Sequence, residues 1–450
     1  MYEKEFTQSQ ARQAFRYIKR GVCPPDDIEF FTVGLSRELA TIRSELKSTT
    51  DGGPKSISHF LEAPYGYGKS HLLNVIKSVA LKQNFGVAQI THDGYERAFN
   101  HPARYIHHLY ESLLVPGCSK LGLAQIVAQL LRGDQKSNII RWANKSSIRW
   151  GIGYYVRRMA DAHDGLDTSN LKYHINCCDI QFRGGAYFHL LYERLPILSD
   201  FCRTIGLSGL VVLFDEVESI VTLLPNILSR LRSYEILHKL TDHHEFPYCC
   251  FFFAISPDFG RRIASWDYKY EYPVYKDYRP DGCRFMDSWV KNGHSIIQVP
   301  KIDEAQNTEL CSKLRGLHEN AYSWLAGDRV SSNFIESYID EAEKNSLLQR
   351  DIVRSFVNIL DICQQHSSCN PTQELALSVR MSISERLRDG GLEVIDNRPK
   401  GGALWVIGGL ELMQILKQMQ NQEGRVVFSF ASRGGQATKG RPAWWTRSQG

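Results

Sequence analysis

The sequence predicts an α/β protein, and three observations predict it. A short strand at Ile57–Glu62 runs into a glycine-rich loop at Ala63–Ser70 and then into a helix from His71 to Gln83. Two continuous apolar runs, Gly209–Phe214 and Tyr248–Ile255, have the length and composition of buried strands. Helical spacing returns between and after them, at Asn226–Asp242 and over Asp303–His366.

The size and composition set the frame. A chain of 450 residues corresponds to about three domains, or to one large domain with appendages. Hydrophobic content of 43% and charged content of 23% are ordinary for a soluble globular protein. A formal charge of +5 is a mild excess that by itself demands no nucleic-acid partner. The 11 cysteines include no C-x-x-C pair. Cys249 and Cys250 sit in an apolar run and read as small buried hydrophobes, a usage that fits a reducing cytosol. Met1–Arg20 has no apolar signal core, and no run approaches about 18 uninterrupted apolar residues, so no membrane span is expected.

Along the chain, Glu3–Arg20 has helical spacing, with Phe15, Ile18 and Val22 on one face. Cys23-Pro24-Pro25-Asp26-Asp27 ends that helix. A second helix, Ser36–Leu46, has Ser36 as its N-cap and Leu35, Leu39, Ile42 and Leu46 at helical intervals. Thr49–Lys55 is a Gly/Pro turn, and Gly86–Thr91 reads as a strand. From about Arg104 to Ile205 the pattern is mostly helical, with irregular patches at Asp161–Asn170 and Arg183–Gly185. Trp266–Asp287, rich in Tyr, Pro and charge, reads as a loop, and Ser295–Val299 as a further strand. One more helix is expected after Pro371. The expected divisions are 1–48, a core over 49–300 with a helical insertion at about 105–205, a helical segment over 301–370, and an accessory segment over 371–450.

A strand, a loop ending Gly-Lys-Ser and a helix form the layout of a phosphate cradle. The loop turns backbone N–H groups onto the phosphates, and the helix N-terminus adds favourable partial charge. Lys69 would neutralise the β- and γ-phosphates, and the Ser70 hydroxyl would hold Mg²⁺. Ala63 stands where the usual G-x-x-x-x-G-K-[ST] pattern has its first glycine. Gly66 and Gly68 remain where backbone must come closest to phosphate. The candidate nucleotide contacts in the loop are thus Ala63, Pro64, Tyr65, Gly66, Tyr67, Gly68, Lys69 and Ser70, followed by His71.

The strand Leu210–Phe214 ends in two carboxylates. Asp215 would hold Mg²⁺ beside the phosphates, and Glu216 would orient and deprotonate the attacking water. Glu218 reads equally as a helix-start charge. Where P-loop ATPases carry an additional strand between loop and acid, its end often holds a polar sensor, which here is Ser256. That serine would equally serve to cap the turn before Pro257. Lys69 and Asp215 stand 146 positions apart, more than a minimal ATPase core needs, hence the expected insertion.

Together these residues resemble the AAA+ branch of P-loop ATPases and, more narrowly, the ATP-binding proteins of BREX-type phage-defence systems, the BrxC/BrxD-like group. Phe31-Thr32-Val33-Gly34-Leu35-Ser36-Arg37-Glu38-Leu39 is similar to that group's lead-in to the nucleotide pocket. Tyr65–Ser70 resembles its loop, Phe214–Glu218 its D-E-x-E acid, and Ser256-Pro257-Asp258-Phe259 its T-P-x-F. Leu314–Tyr322 and Gln349–Arg354 resemble its helical lid. The departures are Ala63 for Gly and Ser256 for Thr.

The resemblance implies a parallel sheet flanked by helices with a helical lid, and binding of ATP and Mg²⁺ with Val33 and Gly34 near the nucleotide. It also implies assembly as a dimer or ring, and a place in a defence operon beside a helicase-like protein. In such assemblies an arginine often completes a neighbour's site. Arg261 and Arg262 are the candidates, with a solvent-facing basic loop as the alternative. Arg350 matches a lid arginine that touches the γ-phosphate, or is a surface residue at a helix start.

The C-terminal segment changes character. A strand bracketed by glycine pairs at Gly401–Gly409, a helix over Leu410–Met419 and a strand at Arg425–Ala431 are expected. Arg425, Arg433, Lys439, Arg441 and Arg447 follow with no acidic residue after Glu423, and Trp444 and Trp445 lie among them. A basic tract interleaved with aromatics can track phosphates and stack bases. The alternatives are a docking surface for a protein partner, or a small appendage whose tryptophans pack and whose cations are solvated. The functional expectation is an ATPase coupled to DNA or partner remodelling in phage defence. The competing expectation is a nucleotide-gated scaffold with little turnover.

Overall fold

The computed structural model describes residues 6–20, 24, 28–51, 53, 55–64, 66–92, 99–145, 152–161, 168–172, 187–224, 226–242, 246–327, 329–344, 347–366, 369–372, 387–388, 391–397, 403–413, 415–417, 428–433 and 436–446. The chain forms two compact units. One spans Asp27–Lys301, and the other combines Met1–Asp26 with Ile302–Gly450.

The unit Asp27–Lys301 is built on a five-stranded sheet of β1 (Ile57–Glu62), β2 (Gly86–Thr91), β3 (Leu210–Asp215), β4 (Cys249–Ile255) and β5 (Ile296–Gln298), in the order β2-β3-β4-β1-β5. Every neighbouring pair is parallel. All residues of β3 and β4 are buried, which is why both read as unbroken apolar runs: a parallel sheet covered on both faces leaves no polar face to alternate with. Cys249 and Cys250 lie in that core, and burial pushes both thiols up to about 12.

Because the strands are parallel, the residues that follow β1, β3 and β4 emerge at one edge. β4 lies between β1 and β3, so it separates the strand feeding the glycine-rich loop from the strand ending in Asp215. Backbone bonds tie the three ends together: Ala63 N–H donates to the Ile255 carbonyl at 3.2 Å, and Val217 N–H to the Ala254 carbonyl at 3.1 Å.

Two helices flank this edge. Helix α2, Ser36–Asp51, buries Leu39, Ile42 and Leu46, with Leu35 buried just before it. Ser36 is already helical. Helix α3, Lys69–Lys82, begins directly at the loop and buries Leu72, Leu73, Val75, Ile76 and Val79. Between β2 and β3 the described residues are largely helical: Pro102–Ser112, Leu123–Leu130, Lys136–Ala143, Ile152–Asp161 and Tyr187–Thr204. Trp142 from one of these packs edge-on against Phe201 from another, centroids 5.0 Å apart.

The expected loop at Trp266–Asp287 is helical instead. A π-helix covers Ile263–Glu271, and α-helices follow at Tyr272–Tyr275 and Pro280–Val290, the last two with proline in their first turn. Pro280 is tolerated because it stands at the start of its helix, where the N–H it lacks would have no helical partner. The anchor is Asp267, fully buried, whose carboxylate accepts from Arg230 Nε and Nη2 at 3.0 Å each and from the Tyr234 hydroxyl at 2.8 Å. The composition read as loop because this stabilisation comes from residues more than 30 positions away.

In the other unit, helix α1 (Gln8–Lys19) starts at a capping box on Thr7 and Gln10 and buries Phe15 and Ile18. It packs on the helix Glu304–Tyr322, where Phe15 meets the His318 ring and Arg12 Nε donates to the Ala321 carbonyl at 2.7 Å. Helices Ser332–Lys344 and Gln349–Gln365 follow. Val22 and the helix expected after Pro371 fall outside the described residues, apart from short ends.

The C-terminal segment contains an antiparallel sheet of β6 (Glu393–Asp396), β7 (Leu404–Ile407), β8 (Ser429–Ala431) and β9 (Ala443–Thr446), ordered β6-β7-β9-β8. The expected helix at Leu410–Met419 opens as a 3-10 turn, Leu410–Leu412. Trp444 lies within a small core with Leu404, Val406, Leu412 and Leu416.

Candidate functional site

The loop at Ala63–Ser70 sits at the C-terminal edge of the sheet, where open parallel sheets bind their ligands. Gly66 and Gly68 both have positive φ, 82° and 89°, a conformation that any Cβ disfavours. Gly68 is the N-cap of α3 and offers no side chain to its first turn, so the N–H groups there have no side-chain cap. A helix start of this kind favours an anion.

Lys69 is 8% exposed. Its ammonium donates to the Ala63 carbonyl at 3.1 Å and pairs with Glu218 Oε1 at 3.2 Å. Ser70 Oγ donates to Asp215 Oδ2 at 2.7 Å, while the other carboxylate oxygen of Asp215 accepts from the Glu216 N–H at 3.0 Å. Asp215 is thereby aimed at the loop from both sides. Glu216 has φ 58°, a left-handed conformation that costs a non-glycine residue energy and tends to persist where surrounding structure demands it. Burial, then Glu218 and Asp215, push its carboxyl up to about 7, against the opposing pull of Lys69. A carboxyl titrating there is poised to accept a proton near neutral pH.

Ser256 follows β4 and is buried. It stands at the N-cap position of the helix Pro257–Arg262, yet its side chain makes no cap bond. Its Oγ has no hydrogen-bond partner among the described residues, so the turn-capping alternative does not describe its geometry. A buried hydroxyl without a partner is costly unless a ligand or water engages it.

On the other side of α3, His71 Nε2 lies 3.0 Å from Thr32 Oγ1. Thr32 spends its only hydroxyl proton on the Ile28 carbonyl at 2.9 Å, so His71 must donate to it through Nε2–H. Burial lowers the His71 imidazole to about 4, which keeps it neutral. The lead-in segment is therefore tied to the first turn of α3. Val33 is buried and Gly34 has φ 72°. Tyr65 lies outside the described residues; Tyr67 is partly buried, and Pro64 is exposed.

Arg261 and Arg262 follow in the helix Pro257–Arg262. Arg261 bridges to Asp258 at 2.9 Å, and Arg262 lies 3.7 Å from Asp267 and over the Trp266 ring at 5.1 Å. Both have partners within their own stretch of chain. Arg350 opens the helix Gln349–Gln365 in the other unit and is exposed.

These residues fit a bound nucleotide and a divalent cation. The loop leaves N–H groups uncapped, Ser70 and Asp215 already share a hydrogen bond at the place expected for the cation, and the Ser256 hydroxyl is buried with no hydrogen-bond partner among the described residues.

The family model for BREX system ATP-binding proteins BrxC/D matches residues 7–137 and 188–379. The chain belongs to that family. This BREX-family protein accordingly has an ATP-binding role in phage defence. The match spans α1, β1 with its loop, and β3 to β5. The internal gap, 138–187, falls among the helices between β2 and β3, and residues 380–450, which carry β6 to β9, lie beyond the match. A comparison with curated proteins found no match. No helix among the described residues is long and apolar enough to cross a membrane.

Of the C-terminal candidates, Trp444 is not available for base stacking. It is 6% exposed, and its Nε1 donates to the Gly409 carbonyl at 2.8 Å. Arg441 is engaged in a two-pronged pair with Glu393 at 2.6 and 2.8 Å, which holds the Glu393 carboxyl below its usual range. Trp445 lies opposite Trp405 across the β7–β9 ladder, ring centroids 6.1 Å apart, and is only partly buried. Arg433 and Lys439 are exposed. Arg425 and Arg447 lie outside the described residues. The strands at β6 and β9 were too short and too irregular in polarity to read from periodicity.

Glu218 is the residue that sequence reasoning undervalued. The D-E-x-E spacing was the available signal, but no sequence property says that the third carboxylate turns inward to Lys69.

Proposed function

We propose that this protein hydrolyses ATP at the C-terminal edge of its parallel sheet and couples the cycle to a DNA or protein partner in anti-phage defence. The observation that carries this reading is the 2.7 Å bond from Ser70 to Asp215 with Glu216 alongside. That is the arrangement needed to hold a cation and activate a water next to a phosphate.

In this reading the loop N–H groups and Lys69 bind the β- and γ-phosphates. Ser70 and Asp215 would hold Mg²⁺ with the nucleotide, and the cation would supply charge neutralisation for the phosphates. Glu216 takes the proton of the attacking water, its raised pKa suiting it to that task near neutral pH. Ser256 orients the same water or a γ-phosphate oxygen through its otherwise unpartnered hydroxyl. Val33, Gly34 and His71 belong to the nucleotide's surroundings. Helices Glu304–Tyr322, Ser332–Lys344 and Gln349–Gln365 would form the lid, with Arg350 reaching the γ-phosphate. Arg261 or Arg262 would complete the site of a neighbouring copy in a dimer or ring. Arg433, Lys439 and Trp445 would form the nucleic-acid contact of the C-terminal sheet. A helicase-like operon neighbour is the expected protein partner.

Steady-state ATP turnover, with and without single- and double-stranded DNA, tests the reading against Lys69→Ala and Glu216→Gln. The expected result is DNA-stimulated turnover lost in both variants, with ATP binding retained by Glu216→Gln. Undiminished turnover in Glu216→Gln would remove Glu216 from its role.

A second reading, nucleotide-gated assembly with negligible turnover, is favoured by one observation. Both arginines after β4 are engaged within their own chain segment, which leaves the finger to be released by a partner. It predicts that ATP changes the oligomeric state while turnover stays flat.

A further inference from the structure

Glu218 occupies the N-cap position of the short helix Ser219–Thr222, the place where an acidic side chain usually serves the helix start. It makes no side-chain cap bond. Its side chain turns instead toward α3, where Oε1 meets the Lys69 ammonium at 3.2 Å. Both residues are over nine-tenths buried, Glu218 at 7% exposure and Lys69 at 8%.

The pair is incompletely satisfied. Glu218 Oε2 is buried with no hydrogen-bond partner among the described residues, and among those residues the Lys69 ammonium has one further contact, the Ala63 carbonyl. Buried ion pairs balance desolvation only when their remaining hydrogen-bonding capacity is met. This one is held loosely enough to exchange. Phosphate oxygens carry more charge than one carboxylate, and they would arrive at the uncapped start of α3, the turn that contains Lys69.

We propose that Glu218 is a positioning residue for Lys69: its carboxylate holds the ammonium beside the end of β1 until the phosphates of a nucleotide take it over. The inference rests on the reading of Ala63–Ser70 as the ATP site. Its consequence is a sign. Glu218 opposes nucleotide binding, because its ion pair must be exchanged and its charge then stands next to phosphate. In the empty protein it stabilises the fold, because without it Lys69 loses the carboxylate in direct contact with its buried ammonium. A purely structural role would lower stability with and without nucleotide alike.

The experiment measures the affinity for a non-hydrolysable ATP analogue with Mg²⁺ by calorimetry, and melting temperature with and without that complex, for wild type, Glu218→Gln and Glu218→Asp. Glu218→Gln should melt lower than wild type when empty, bind the analogue at least about threefold more tightly, and show the larger analogue-induced rise in melting temperature. Glu218→Asp keeps the charge but draws it back by one methylene. It guards against a folding failure and should tighten analogue binding to a smaller degree. Wild type that binds the analogue, with both variants binding equally or more weakly, overturns this inference alone. Wild type that does not bind the analogue overturns the ATP-site reading and this inference with it.

Discussion

Ser70 Oγ donates to Asp215 Oδ2 at 2.7 Å across 145 positions of chain. The bond joins the first turn of α3 to the end of β3 and fixes where a cation would sit. Asp215→Asn weakens that acceptor and removes its charge. Turnover with Mg²⁺ should then fall by about 10²-fold or more, while the melting temperature of the empty protein changes little. A steady-state assay paired with a thermal melt reads both.

Glu216 is held up to about 7 by burial and by its neighbouring carboxylates. A general base must be deprotonated to act, so kcat/KM for ATP should fall as pH drops through 7 and level off above it. A pH–rate profile checks this. A profile flat from pH 5.5 to 8.5 would remove Glu216 as the base.

His71 is lowered to about 4 by burial. The unfolded chain therefore binds this proton more readily between about 6.5 and 4, so stability falls as pH drops through that window. At about 1.4 kcal/mol per pH unit the full loss is at most about 3.5 kcal/mol. His71→Gln, which can still donate to Thr32, should flatten the acid side of the stability curve measured by denaturant titration.

Asp267 holds Arg230 and Tyr234 in a fully buried cluster. Asp267→Asn removes the carboxylate that the buried Arg230 guanidinium pairs with, at a cost of about 3–5 kcal/mol. Denaturant unfolding should show that loss. Asp258→Asn, whose partner Arg261 is largely exposed, should shift stability by under about 1 kcal/mol.

At the C-terminus, the burial of Trp444 and the partial exposure of Trp445 predict different outcomes. Trp444→Ala empties a core position and should destabilise the small sheet by about 3 kcal/mol or more. Trp445→Ala, combined with charge removal at Arg433 and Lys439, should leave the sheet folded but weaken single-stranded DNA binding and flatten its salt dependence. Filter binding at two salt concentrations separates the two effects. Unchanged binding in the triple variant would remove this face as a nucleic-acid contact.

The residues that the sequence alone determined are those whose signal is local. β1 and β2 have the bounds read from the sequence, β3 is shifted by one residue at both ends, and β4 is shorter by one residue at its start; β3 and β4 were legible because strands buried on both faces are largely apolar. The loop from Ala63 to Ser70 was legible because close approach to phosphate requires glycine at specific positions. What only the tertiary structure decided depends on partners distant in sequence. The helices across Ile263–Val290 form around an aspartate that Arg230 neutralises and Tyr234 hydrogen-bonds, and no window of that segment contains either residue. Glu218 reads as a helix-start charge until Lys69, 149 positions earlier, is found beside it. Ser256 reads as a sensor or a turn cap alike until its hydroxyl is found buried with no cap bond. Trp444 reads as a stacking platform or as a packed ring until β7 and β9 pair and enclose it. In each case the deciding quantity is the free energy of burying a charge, a hydroxyl or a ring, which depends on what surrounds the group and not on what adjoins it in the chain.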